Sequence, residues 1–215
     1  MSHSTEKHAT ENHSTDLLLR DDLALIQDGV KPGSQVLDLG CGEGRLLKYL
    51  QQHKNVRGYG LEINPDNITA CIRNGVNVIE QDLDNGLRNF EDNSIDTVIM
   101  TQALQAVERP DELLDEMLRI GNEAIVTFPN FGYWRTRFYL MFKGRMPMSE
   151  TLPYNWYDTP NIHMCTFRDF EILCREKNIK ILKKTVVDGE HKQHWTIRLW
   201  PAMLGEIAVY HITRN

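Results

Sequence analysis

Excess positive charge, long apolar runs and cysteine are all scarce in this chain of 215 residues, and each scarcity closes a class of function. Lys and Arg number 24 against 30 Asp and Glu, a formal charge of −6. That balance argues against nucleic acid as the main partner, because phosphate binding wants a basic face. No apolar run reaches the roughly 18 residues of a membrane helix, so no membrane association is expected. The start, Met1-Ser2-His3-Ser4, has no apolar stretch of the signal-peptide kind, and a cytoplasmic location is expected. Cys41, Cys71, Cys165 and Cys174 have neither metal-ligand nor disulfide-framework spacing, which fits a reducing compartment. No metal site is expected. No internal repeat is visible, and no composition shift demands a second large unit. Residues 1–15 hold almost nothing apolar and read as a disordered polar tail, in which His3, His8 and His13 suggest no metal site. Residues 16–215 read as a single domain. It opens with a leucine-rich helix from Leu17 to Ile26, and Lys31-Pro32-Gly33-Ser34 ends that helix as a turn.

What is present is a strand running into glycines. Residues 36–44 read Val-Leu-Asp-Leu-Gly-Cys-Gly-Glu-Gly, with Val36, Leu37 and Leu39 suited to a buried parallel strand. Gly40, Gly42 and Gly44, with Cys41 between them, let backbone approach a ligand closely at the start of a helix over 43–52. The Gly-Lys-Ser/Thr ending of a P-loop is missing, and Arg45 stands where the dinucleotide fingerprint needs glycine. Asp38, two places before the first glycine, would repel a pyrophosphate but suits a cation. S-adenosylmethionine carries both a sulfonium and a free amino group.

Further acids fall in order along the strands. A second strand over 56–63 ends at Glu62 and Ile63, about 20 residues past the loop, where a carboxylate would accept ribose hydroxyls. Asn64-Pro65-Asp66 caps a helix over 65–74. A third strand, 76–79, leads to Gln81, Asp82 and Leu83, where a carboxylate and a backbone N–H could meet adenine. The fourth, 97–100, is preceded by Asp96, which reads as a turn partner, and followed by Thr101 and Gln102 at the carboxyl edge where such sheets bind ligands. Glu62 or Asp82 alone could be ordinary strand-ending acids; the ordered set is harder to obtain by accident. The set resembles the class I S-adenosylmethionine-dependent methyltransferase fold over residues 34–128. That resemblance implies an α/β, Rossmann-like, doubly wound and mostly parallel seven-stranded sheet with an antiparallel last strand. The bound molecule would be S-adenosylmethionine or S-adenosylhomocysteine.

After a helix opened by Arg109-Pro110-Asp111 and a fifth strand over 122–128, the chain departs from a minimal fold. An insertion at about 129–166 has no helical periodicity, which returns only at a cap on Thr166 with Asp169 three residues on. Half of the chain's aromatics lie there, among them Tyr133, Trp134, Trp156 and Tyr157, together with Arg135, Arg137 and Arg145. A lid with its own small core, a partner surface and a substrate pocket all fit this composition. A helix at 167–177 and strands at 179–187 and 206–213 complete the reading. Taken with Thr-Gln-Ala-Leu-Gln (101–105), Phe-Pro-Asn-Phe-Gly-Tyr-Trp-Arg (128–135), Lys-Gly-Arg-Met-Pro (143–147) and Trp-Tyr-Asp-Thr-Pro-Asn-Ile-His (156–163), the glycine strand resembles the bacterial methionine-biosynthesis MetW family. The resemblance runs from about residue 20 to the end of the chain and implies work beside homoserine O-acyltransferase.

Catalytic machinery is hard to find. Thr101-Gln102-Ala103-Leu104 offers no base and no proline platform, and His163 is the one weak candidate. His191 and His194 are too few for a metal site. Two functions follow. One is a binding subunit that senses S-adenosylmethionine and regulates the acyltransferase. The other is an active methyltransferase on a small carboxylate-bearing substrate, which needs no base.

Overall fold

Short apolar strands alternate with helices from residue 35 onward, the pattern that builds a parallel sheet covered on both faces. The computed structural model describes residues 25–148, 155–157, 159, 162–189 and 195–214. The expected polar tail, the helix through Leu23, Tyr154 and the His191–His194 pair lie outside the described residues.

The elements are β1 (Gln35–Leu39), α1 (Arg45–Lys54), β2 (Arg57–Glu62), α2 (Pro65–Arg73), β3 (Val78–Glu80), β4 (Ile95–Thr101), α3 (Pro110–Ile120), β5 (Gly121–Pro129), α4 (Trp134–Lys143), α5 (Phe167–Glu176), β6 (Ile179–Val187), α6 (Trp195–Leu199), α7 (Pro201–Leu204) and β7 (Ile207–Arg214). They form one seven-stranded sheet in the order β3-β2-β1-β4-β5-β7-β6. The first five strands are parallel, and β7 runs antiparallel to both β5 and β6. The sheet is the expected α/β, doubly wound one.

Alternation along the central strands sorts side chains into two cores. Leu37, Val98, Met100, Val126 and Tyr210 join α3 and α5 on one face. Val36, Ile99, Ile125 and Val209 join α1, Cys71 of α2, Ile26 and Val30 on the other. Because β1 connects to β2 on one side and neighbours β4 on the other, the strand order reverses at β1/β4. A crevice opens at the carboxyl ends of the strands at such a point.

Local signals held where they rested on short-range bonds. Asn64 caps α2 by accepting from the Asp66 N–H at 2.9 Å, with Pro65 at the first helical position. Thr166 and Asp169 form a reciprocal capping box at α5. Asp96 accepts the Gln35 N–H at 2.8 Å, tying the starts of β4 and β1. The expectation of no helix in the insertion is corrected by α4. Periodicity fails to reveal it because α4 has no core face: of its ten residues only Thr136 is buried. Its order comes from Trp134, Phe138 and Phe142, spaced four apart, with ring centroids 6.1 and 5.7 Å from one to the next.

Replacing Thr166 by Ala removes one half of the capping box. It should cost about 1 kcal/mol, read as a lower urea midpoint at unchanged slope. An unaltered midpoint would mean that the box does not hold α5.

Candidate functional site

Residues 40–44 turn sharply out of β1, and the turn needs glycine. Gly40, Gly42 and Gly44 have φ of 67°, 54° and 73°, a region that side chains with a Cβ rarely adopt. The loop is clasped to the end of β2. The N–H groups of Gly40 and Cys41 both donate to the Leu61 carbonyl, at 2.9 and 3.0 Å. The Gly42 N–H donates to Glu62 Oε2 at 2.8 Å. Glu62 Oε1 accepts from the N–H groups of Ile63 and Asn64, both at 2.9 Å. Gly44 caps α1 without a side-chain bond, and no acidic residue sits in the first turn, so the positive end of the helix faces the loop uncompensated.

Asp38 lies beneath this loop, 1% exposed, and its Oδ1 has no hydrogen-bond partner. Burial first, and the Glu62 carboxylate second, push its carboxyl up to about 7 from an ordinary value of 3.8. An unpaired buried carboxylate is expensive, and sequences keep such groups where they do work. Cys41 and Cys71 close the floor, with sulfurs 3.7 Å apart and Cys71 Sγ 3.1 Å from the Gly42 carbonyl. Burial pushes both thiols upward. Gly60 in β2 makes room for this floor: a Cβ there would lie 2.2 Å from Cys41 Sγ.

The remaining expected residues have definite local duties. Ile63 is 57% exposed beside Glu62. The Gln81 amide bonds the Gly86 carbonyl at 2.7 Å and exchanges bonds with Asn89. Asp82 Oδ1 accepts the Asp84 N–H and so caps a short 3₁₀ turn that begins at Leu83. Thr101 ends β4, and Gln102 follows with φ of 49°, its N–H held by the carbonyl and hydroxyl of Thr127. His163 donates its backbone N–H to the Gln105 carbonyl at 3.0 Å, and its Nε2 lies 3.1 Å from the Glu108 carbonyl. Both bonds anchor the end of the insertion to the loop after β4. Gln105, Gly60, Cys71 and Thr127 were not singled out as site residues, since each meets a segment distant in the chain: Ile162 and His163, Cys41, Gly42, and Gln102 respectively.

On the insertion, Trp134, Phe138, Phe142, Trp156 and Tyr157 are exposed, Phe142 to 73% and Trp156 to 74%. Arg135 stacks 5.5 Å from the Trp134 ring centroid, and Arg145 is exposed. Arg137 is occupied at home, with Nε donating to the Gly132 carbonyl. Tyr133 is half-buried, and burial followed by Glu206 raises its hydroxyl.

Residues 20–212 match the family described as methionine biosynthesis protein MetW. The chain belongs to the MetW family. A relative from Rhodopirellula baltica, a bifunctional methionine biosynthesis protein MetXA/MetW, is 36% identical over 196 residues, which is 86% of this chain and 32% of that protein. The chain thus spans about a third of the length of that relative. In fold it resembles an S-adenosylmethionine-dependent methyltransferase from Thermotoga maritima, possibly a histamine N-methyltransferase. The TM-score is 0.67 at 16% identity, covering 99% of this chain and 96% of that one. Magnesium protoporphyrin IX methyltransferase from Synechocystis PCC 6803, solved with bound S-adenosylhomocysteine, aligns at TM-score 0.64 and 17% identity, covering 100% and 89%. This MetW-family chain therefore has the class I methyltransferase fold and an association with methionine biosynthesis. Among the described residues, no helix is long and apolar enough to cross a membrane.

The raised carboxyl of Asp38 sets a direction for stability. Between the ordinary carboxylate value and about 7 the folded chain keeps a proton that the unfolded chain has lost, so stability falls as pH rises through that window. The shift corresponds to roughly 4 kcal/mol once Asp38 is ionised. Asp38→Asn should therefore melt higher than the unaltered protein at about pH 8, with a gap that shrinks toward about pH 5. An equal gap at both pH values would mean that Asp38 is not raised.

Proposed function

We propose that the site binds S-adenosylmethionine and its demethylated product, and that the protein is a ligand-sensing regulatory subunit of homoserine O-acyltransferase in the cytoplasm. The observation that carries the reading is the buried, unpartnered Oδ1 of Asp38 beneath a glycine loop. An anionic ligand would be repelled by that carboxylate and a neutral donor would leave its charge uncompensated, whereas an ammonium group supplies both a donor and the opposite charge. Gly40, Cys41, Gly42 and Gly44 would carry the amino-acid part along their backbone. A carboxylate has about four lone-pair sites and its backbone donors take three of them, so Glu62 can still accept one ribose hydroxyl, at Oε2. Ile63, Asp82 and Leu83 would meet the base, with Gln81 bracing them through its bonds to Gly86 and Asn89. Thr101 and Gln102 would edge the reactive end. When bound, the sulfonium supplies a fixed positive charge and a transferable methyl group.

Regulation rather than catalysis is favoured by the side chains at that edge. Thr101 and Gln102 do not titrate in the useful range, and the His163 imidazole is engaged with a backbone carbonyl. The MetXA/MetW relative, which carries both names in one chain, supports a partnership between the two proteins when they are separate. Tyr133, Trp134, Arg135 and Phe142 line a cleft of about 970 Å³ together with Asp188, Gly189 and Glu206. Exposed aromatics and arginines of this kind are typical hot-spot residues. Arg145, Trp156 and Tyr157 are also exposed, while Arg137, bonded to the Gly132 carbonyl, positions the start of α4. Such control requires the ligand to favour the complex or the free subunit.

Calorimetry with S-adenosylhomocysteine should show affinity falling as pH drops below about 7, toward tenfold per unit, because protonated Asp38 no longer pairs with the ligand's ammonium. Asp38→Asn should bind weakly at every pH. A pH-independent affinity in the unaltered protein would mean that Asp38 does not hold the amino group. Titrating purified cognate homoserine O-acyltransferase with this protein should give a saturable change in rate whose midpoint moves with S-adenosylmethionine. Phe142→Ala combined with Trp156→Ala should weaken that effect by about tenfold or more. Absence of both a rate change and co-elution would overturn the partnership. Methyl turnover onto small acids of the pathway would favour an enzyme instead.

A further inference from the structure

A cavity of about 130 Å³ lies beyond the carboxyl ends of β4 and β5, on the face covered by α3 and α5. Leu104, Phe128, Phe131, Phe170 and Leu173 give it mostly apolar walls. His163, Asp169 and Gln105 are its polar lining residues, and Gln105 is 7% exposed. Its Nε2 donates to the Gln102 carbonyl at 2.8 Å, which fixes the orientation of the amide. The same bond leaves Oε1 buried with no partner. A buried acceptor in that condition costs roughly 1–3 kcal/mol and calls for an account.

The backbone of Gln105 is tied down as well. The Gln105 carbonyl accepts the backbone N–H groups of Ile162 and His163, so the returning end of the insertion is pinned over the cavity through the same residue. The segment also touches the glycine loop. A Cβ on Gly40 would lie 3.3 Å from that of Ala103, two residues before Gln105. The cavity and the glycine loop thus flank one short segment, but the cavity's own chemistry does not depend on what the loop binds.

Charge narrows the occupant. None of the described residues lining the cavity is Lys or Arg, and the one basic side chain there, His163, has its Nε2 engaged with the Glu108 carbonyl. The one acid in the wall, Asp169, already accepts both the N–H and the hydroxyl of Thr166 in the capping box. A charged group would lose its hydration with little return. A cavity of about 150 Å³ is known to hold benzene, so this one suits an apolar body of roughly five or six heavy atoms. We infer that this cavity binds a small uncharged molecule with an apolar chain and one hydrogen-bond donor, an alcohol, thiol or amide, whose donor bonds Gln105 Oε1.

The test uses the full chain and three probes of similar size: n-pentanol, the isomeric ethyl propyl ether and pentanoate. Binding is followed by saturation-transfer NMR, with S-adenosylhomocysteine affinity measured on the same samples. The alcohol should bind about tenfold more tightly than the ether, which lacks the donor, and pentanoate should not compete. Gln105→Met should erase the preference for alcohol over ether. Leu173→Phe from the wall, and Met164→Trp from the partly exposed rim, should each abolish binding of both while S-adenosylhomocysteine affinity stays unchanged. Two filling variants are used so that a folding defect in one does not decide the matter. Equal binding of alcohol and ether, survival of binding in both filled variants, or no probe binding (the cavity holding water alone) would each overturn the inference. Loss of S-adenosylhomocysteine binding in the unaltered protein would instead strike the nucleoside reading and leave this one standing.

Discussion

Both oxygens of Glu62 accept backbone N–H groups, one from Gly42 in the loop after β1 and the other from Ile63 and Asn64 at the end of its own strand. Two chain reversals that are distant in sequence are thereby joined at one carboxylate. The loop cannot relax away from β2, because Gly40 and Cys41 are also bonded to the Leu61 carbonyl. With the loop immobilised, Asp38 stays covered, and its proximity to Glu62 adds to the burial that opposes its ionisation. The same carboxylate therefore shapes the cradle and raises the electrostatic cost that a cationic ligand would relieve. The site is preorganised at the expense of stability, as is usual for functional positions.

A second tension lies in the insertion. A sheet with two sorted cores accounts for most of the large buried side chains, yet α4 contributes almost nothing to either. Its aromatics pair with one another along the helix and remain exposed. Exposed apolar surface on that scale is seldom neutral in solution. The returning end of the insertion behaves differently, being locked to the loop after β4 by the backbone of Ile162 and His163. One part of the insertion thus faces outward while the other roofs the sheet edge. Its composition left a lid and a partner surface open ahead of a substrate pocket. The exposed face suits a partner, and the roof closes over a small cavity.

Much of the fold was legible because its signals are local. The strand ending in Asp38 and the glycines, the Asn64-Pro65 start of α2, and the Thr166–Asp169 capping box each rest on bonds between near neighbours in the chain. Asp96 was read as a turn partner, whereas it accepts the Gln35 N–H across to β1, a contact between distant parts of the chain. The helix at Trp134–Lys143 was missed because periodicity detects a buried face, and this helix has none. The side-chain partners of Gln81 and His163, at Gly86, Asn89 and Glu108, were not legible in the sequence.

By itself the sequence determined the order of the seven strands and of the helices between them other than α4, α6 and α7, and the resemblance to a family. All of these depend on residue type and spacing along the chain. Only the tertiary structure decided which acids are free and which are spoken for. It paired both oxygens of Glu62 with backbone while leaving Oδ1 of Asp38 and Oε1 of Gln105 buried without partners. Burial and hydrogen-bond satisfaction arise from atoms brought together across strands, and that three-dimensional closeness is not written into any local pattern.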